Sequence, residues 1–310
     1  MSSEIESLID EGRLKDAKRK IEELLKREDR PEYHYYLALI YLAKGKLNNS
    51  IKEVNKAIKE DQNKAIYYLV LAKAEYELGV RNEDQNKLKS SYNHLRKIEE
   101  LDEENNIKNA EEYLFLKSSV LYELEKYDEA LNSLEEIPNK TTANYFKLKG
   151  DILYNLKRYK EAIESYNEAL KHRESDSDIY YALALSYYKL GELNKALESV
   201  QKAININTDN PYYYEEEAQI LAKLKKHNEA IDAIQKALSI DPDNPLLKAS
   251  QILILIAVGK RDEAIKIMDE HYKEAFEIEI DTLCEDLEGR MSEFNEEVKK
   301  ALREIQLKYC

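Results

Sequence analysis

Residues 194–211 read NKALESVQKAININTDNP, and thirty-four residues later 228–245 read NEAIDAIQKALSIDPDNP, with nine of the eighteen positions identical. A chain that restates itself at a fixed spacing solves one packing problem repeatedly. A period of this length points to stacked supersecondary units rather than to one globular core. Carrying the same ruler both ways finds eight units, beginning near the N-terminus and at about Pro31, Ala65, Glu111, Ala143, Ser177, Pro211 and Pro245. The apolar spacing predicts two short helices in each unit, A and B, joined by a tight turn.

Small residues mark where the two helices meet. The twentieth position of each unit is Ala17, Ser50, Ser91, Ala130, Ala162, Ala196, Ala230 and Ala264 in turn, and the eighth is small in the central units: Ala72, Ser118, Gly150, Ala184 and Ala218. Such residues let helix axes approach, while Tyr187, Val200, Leu221 and Ile234 fill the grooves around them. Gly12, Gly45, Gly79, Gly191 and Gly259 share the fifteenth position, where helix A is expected to end in a left-handed residue. Every proline (Pro31, Pro138, Pro211, Pro242, Pro245) falls at a unit boundary.

This pattern resembles the tetratricopeptide repeat over roughly residues 1–278. The match is clearest in Ser177–Asn244, where Tyr180 and Tyr214 stand early in helix A and NTDN or DPDN closes helix B. The resemblance implies an all-α fold, a right-handed superhelical solenoid of about eight helix-turn-helix units whose A helices line a concave groove. Two irregularities interrupt the ruler: an insertion near 80–87 (RNEDQNK, Arg81–Lys87), read as a tolerated surface loop or else as a hinge or partner-contacting loop, and a second extension at 106–110.

Residues 279–310 are not a repeat. Their apolar residues form three triplets, Ile280, Leu283, Leu287; Met291, Phe294, Val298; and Leu302, Ile305, Tyr309, each displaced by eleven residues from the last. That period keeps one straight apolar stripe on a helix. Beside it, PLLKASQILILIAVG (245–259) is apolar nearly all round and calls for cover on more than one side. The expectation is an amphipathic helix that caps the array. The alternative is a self-assembling structural protein, a homodimer formed through that helix or the groove.

In the family resembled, ligand contacts come from helix A at about the second, fifth, ninth and twelfth positions, one helical face. Carried onto this chain, the twelfth position is Tyr76, Tyr122, Tyr154 and Tyr188 in four successive units. The fifth is Tyr35, Phe115, Lys147 and Tyr181, and Lys73 stands at the ninth. Tyrosine offers a broad apolar face with a polar tip and few rotamers to freeze. The Lys, Asn and Arg set by which chaperone-binding members hold a carboxylate is missing: the fifth and ninth positions read Tyr35/Leu39, Leu69/Lys73, Phe115/Ser119 and Lys147/Asp151.

Net charge is −14, yet Asp269–Glu297 alone holds 12 acidic residues against Lys273 and Arg290. No basic stripe emerges of the kind nucleic-acid binding uses, so no nucleic-acid partner is expected. ILILIAV (252–258), the longest apolar run, is too short for a bilayer, and the N-terminus has no apolar run of signal-peptide type; no membrane partner and a cytoplasmic location are expected. Cys284 and Cys310 show neither metal spacing nor a disulfide framework, and the five histidines are scattered. No glycine-rich phosphate loop occurs. The reading is therefore a non-catalytic scaffold, without cofactor or metal, that grips a peptide or protein segment of unknown identity in a tyrosine-lined groove.

Overall fold

Each A-to-B turn pivots on a single left-handed residue. Four of these are glycines, Gly12, Gly45, Gly191 and Gly259, and four are not: Glu83, Glu125, Lys157 and Lys225, with φ of 52–60°. The next residue's N–H then reaches back to a carbonyl five residues earlier, as in Lys46 to Tyr41 (2.8 Å), Arg158 to Leu153 (2.8 Å) and Lys260 to Leu255 (2.7 Å). This hydrogen-bond pattern satisfies the orphan carbonyls of helix A. A side chain in the left-handed region costs about 1–2 kcal/mol that glycine avoids, and the recurring bonds offset it where Glu or Lys stands.

In the computed structural model the described residues are 2–104, 106–274 and ten positions between 284 and 304. Among them are sixteen helices, paired as hairpins: α1 (Ser2–Asp10) with α2 (Leu14–Leu25), α3 (Pro31–Ala43) with α4 (Leu47–Glu60), α5 (Ala65–Arg81) with α6 (Gln85–Leu101), and α7 (Glu111–Glu123) with α8 (Tyr127–Glu135). Then come α9 (Ala143–Asn155) with α10 (Tyr159–His172), α11 (Ser177–Lys189) with α12 (Leu193–Ile206), α13 (Pro211–Lys223) with α14 (His227–Ile240), and α15 (Pro245–Ala257) with α16 (Arg261–Glu274). The A helices from α3 onward start where the sequence ruler places them. Thr142, Asp176, Asn210 and Asn244 cap four of these starts by accepting backbone N–H groups, as N-cap residues do.

The hairpins form an all-α solenoid in two compact units, Met1–Thr141 and Thr142–Cys310. Inside each unit a B helix packs on the A helix that follows it, and successive A helices also touch. Within each unit the A helices therefore form a closely spaced row. Within a hairpin the contact runs through the small positions, and every residue at the twentieth position is fully buried. Where serine stands, its hydroxyl is satisfied across the contact: Ser50 donates to the Ala38 carbonyl (2.8 Å), Ser91 to Ala72 (2.7 Å), and Ser118 to Ala130 (2.8 Å).

Two expectations are corrected. The extra residues near 81–87 do not make a loop. The helix α5 has 17 residues where the other A helices from α3 onward have 13, and α6 has 17 where most B helices have 14, so the insertion is absorbed as added helix on both arms. Consequently Gly79 does not end its helix. It lies inside α5, where a Cβ would come within 2.9 Å of the Leu88 side chain, and Glu83 takes the left-handed position instead.

The second extension is organised by one carboxylate. Asp102, at the end of α6, accepts N–H bonds from Asn106 (3.1 Å), Ile107 (2.8 Å) and Lys108 (2.8 Å). Burial pushes its carboxyl up, but these bonds, led by that from Lys108, outweigh burial and leave it below the usual range. A depressed carboxylate stabilises the fold above its unfolded pKa and loses that contribution as pH falls through the folded value. Protection of the 106–108 amides, corrected for intrinsic exchange, is therefore expected to hold at neutral pH and fade on acidification below about pH 4. Asp102→Asn is expected to lose that protection already at neutral pH; unaltered exchange in the variant would refute this role.

The triplet residues of the C-terminal stripe lie outside the described residues, with the exception of Leu287. Leu287 is fully buried in a cluster with Ile252, Leu253, Leu255 and Ile256 of α15 and Ala264 and Met268 of α16. Cys284 packs against the same cluster and is disulfide-bonded, a pairing its spacing in the sequence did not announce.

Candidate partner-binding face

The nine residues singled out from the sequence are all half-buried, each keeping part of its surface. In the first unit, the Tyr35 ring of α3 lies 5.3 Å from Tyr36 and 5.3 Å from Tyr67 of α5, filling the cleft between successive A helices. Burial pushes its hydroxyl up to about 12. Tyr76 of α5 is likewise pushed up to about 12, first by burial and then by Glu123, while Ser119 of α7 hydrogen-bonds it. The Lys73 ammonium reaches from α5 to the Glu112 carboxylate of α7 at 2.8 Å. Phe115 and Tyr122 follow on α7, and the Tyr122 ring tilts against Tyr127 of α8 at 5.8 Å.

In the second unit, Lys147 pairs along α9 with Asp151 (2.9 Å), which also accepts the Tyr166 hydroxyl (2.8 Å). Tyr154 meets Tyr159 of α10 edge-on at 5.4 Å. This repeats the Tyr122–Tyr127 pair, so in one hairpin of each unit the twelfth-position ring is propped from the start of its own B helix. Tyr181 rests on Tyr213 of α13 with ring centres 5.0 Å apart, and burial raises its hydroxyl well above the ordinary value. Lys223 of α13 sits over the Tyr188 ring at 4.3 Å, within the range of a favourable cation–π contact.

These rings are consequently held from beneath and along the array, and they present fixed rather than swinging faces. What the sequence reading missed is a second aromatic row. Tyr33, Tyr67, Tyr113, Tyr145 and Tyr213 share the third position and are all buried. Two of them support the fifth-position rings Tyr35 and Tyr181 directly. The thirty-four-residue ruler displays that recurrence plainly; what it does not display is that the third position points inward and the fifth and twelfth outward. Among the described residues no group of three or more His, Cys, Asp or Glu is placed to hold a metal ion, and no helix is long and apolar enough to cross a membrane.

Comparison with known proteins agrees with the repeat register. Family models described as tetratricopeptide repeat match residues 4–65, 177–210 and 211–244, and a TPR repeat model matches 150–191. A model of anaphase-promoting complex, cyclosome, subunit 3 matches 84–169. No curated protein matches the chain. Similar solved structures include YrrB, described as a TPR protein with an unusual peptide-binding site, at 22% identity over 61% of this chain and 93% of that one, TM-score 0.47. MamA from Desulfovibrio magneticus RS-1 is similar at 20% identity over 55% and 95%, TM-score 0.46. TTC0263, a thermophilic TPR protein from Thermus thermophilus, is similar at 20% over 54% and 92%, TM-score 0.45.

Proposed function

Since the chain belongs to the tetratricopeptide-repeat family, we propose that it is a non-catalytic scaffold whose A-helix row grips a segment of another protein. The observation that carries this reading is the division between two aromatic rows in one register. The third-position tyrosines are buried in the core, whereas the fifth- and twelfth-position rings keep an outward face. Packing alone accounts for the first row. The second leaves part of each ring uncovered, repeated in successive hairpins, and a half-exposed apolar row rimmed by charge suits an interaction surface.

Propped aromatic rings lose little conformational freedom on binding, which is why they serve well as anchors. Interspersed Lys73, Lys147, Asp151 and Lys223 are tied up in ion pairs or ring contacts, so affinity is assigned to apolar and aromatic contact rather than to a single charge clamp. Tyr154→Ala combined with Tyr188→Ala is expected to abolish most of the partner capture seen with the unmodified chain in pull-down from cell extract, with helical content unchanged by circular dichroism. Capture that survives in the folded double variant would sink the reading. A self-assembling structural role predicts instead a mass that doubles with concentration in light scattering.

A further inference from the structure

The last A helix departs from its neighbours on the face just described. In α9, α11 and α13 the fifth, ninth and twelfth positions (Lys147, Asp151, Tyr154; Tyr181, Leu185, Tyr188; Glu215, Gln219, Ala222) are all half-buried. In α15 the same positions are Ala249, Leu253 and Ile256, only 0%, 1% and 6% exposed. Beyond the last hairpin itself and Ile231 of α14, the cover comes from the C-terminal segment: Leu287, fully buried, and Cys284, half-buried, belong to that same cluster. Cys284 and Leu287 lie three apart on one helical face, while Glu285 on the opposite side and Glu288 at the flank of that face are exposed. Among the described residues of this segment, the helical positions 284 and 287 thus turn their apolar side chains onto the register that the other A helices of this unit leave open.

We propose that this face of α15 is a helix-binding site which the chain's own segment around Leu287 fills in cis, and that the amphipathic helix of a partner takes the same seat by displacing it. The inference rests on the scaffold reading above and adds the kind of partner. At this end of the row the occupant is a helix with an apolar residue every three or four positions and an acidic outer face, not an extended peptide. The small Ala249 lets a helix approach closely, and Leu253 and Ile256 supply the apolar floor. Among the described residues, Glu304 also pairs with Arg261 at the start of α16, and both side chains are about half exposed. Pairs of that kind are screened by salt and contribute little, so the buried Leu287 contact is taken as the point at which to open the seat.

The test uses the full-length chain in reducing buffer and a fluorescent synthetic peptide of residues 279–310. Leu287→Glu in the chain is expected to open the seat, so that it binds the peptide at least tenfold tighter than the unmodified chain, and adding Leu253→Glu is expected to abolish that gain. Equal binding by the unmodified chain and the folded Leu287→Glu variant would overturn the proposal. Should Leu287→Glu unfold the last hairpin, hydrogen exchange of the unmodified chain decides the matter. Amides at 284–289 exchanging at least tenfold faster than those of α15 support a displaceable occupant, and equal protection overturns it in favour of a permanent cap. The peptide assay does not involve Tyr154 or Tyr188, so loss of capture in that double variant with no peptide effect sinks only this proposal, and the converse sinks only the tyrosine row.

Discussion

Tyr213→Ala is expected to lower the stability of the second unit by about 3–5 kcal/mol, the cost of removing a large aromatic side chain from a packed core. The ring is 1% exposed in a cluster with Ala184, Ala196, Val200, Ala203 and Ile220, so it seals the contact between the α11–α12 hairpin and α13. Its hydroxyl donates to the Asp178 carboxylate at 2.7 Å. Because Asp178 is itself exposed, water replaces that bond readily, and Tyr213→Phe is expected to cost only about 1 kcal/mol. In a repeat array, stability is the sum of each hairpin and its interfaces. The loss is therefore expected as a local event: exchange protection collapses in α11–α13 before it does in α9–α10. Chemical denaturation followed by circular dichroism gives the magnitude, and exchange gives the place. A Phe variant as damaged as the Ala variant would show that the Asp178 bond, not the ring, holds the interface.

The same substitution bears on binding, because the Tyr181 ring rests on Tyr213. Removing the support leaves the fifth-position ring free to turn, and a mobile anchor binds less well than a fixed one.

Particular residues show how much of this was legible in advance. The helix starts at Pro31, Ala143, Ser177, Pro211 and Pro245 carry a proline or a capping side chain, local chemistry that a sequence displays, whereas those at Ala65 and Glu111 have neither and follow from the repeat spacing. The turns were half legible. Glycine announces a left-handed residue at 12, 45, 191 and 259, but Glu83, Glu125, Lys157 and Lys225 adopt it without any such sign. There the backbone bonds that close the turn decide the conformation, and backbone bonds leave no trace in residue type. Gly79 misled for the complementary reason: the added helical residues of α5 and α6 carried it inside a helix, where it makes room for Leu88. At the candidate site, the periodicity identified which tyrosines recur, but not which of two neighbouring positions faces inward. That depends on how successive hairpins are rotated, a property of packing between units rather than of any one unit.

Gly150→Ala reverses the usual rule for glycine in a helix. In the middle of an exposed helix the change would stabilise by about 1 kcal/mol. At Gly150 in α9, a Cβ would stand 2.4 Å from Tyr166 Cε1 and 2.6 Å from Cδ1, well inside contact distance. The ring cannot simply swing aside, since it is nearly fully buried and its hydroxyl donates to Asp151 at 2.8 Å. Forcing extra volume into such a site costs about 1–3 kcal/mol, occasionally more. A net loss is therefore expected for alanine and a larger one for valine, which also resists the helix through its branched Cβ. Tyr166→Leu removes the part of the ring that the new methyl would strike. Combined with Gly150→Ala it is expected to recover part of the loss, giving a coupling of about 1–2 kcal/mol in a double-mutant cycle followed by thermal denaturation. Additive losses would mean that the two side chains do not compete for the same space, and the eighth position would then owe its small residues to something other than the close approach of A and B.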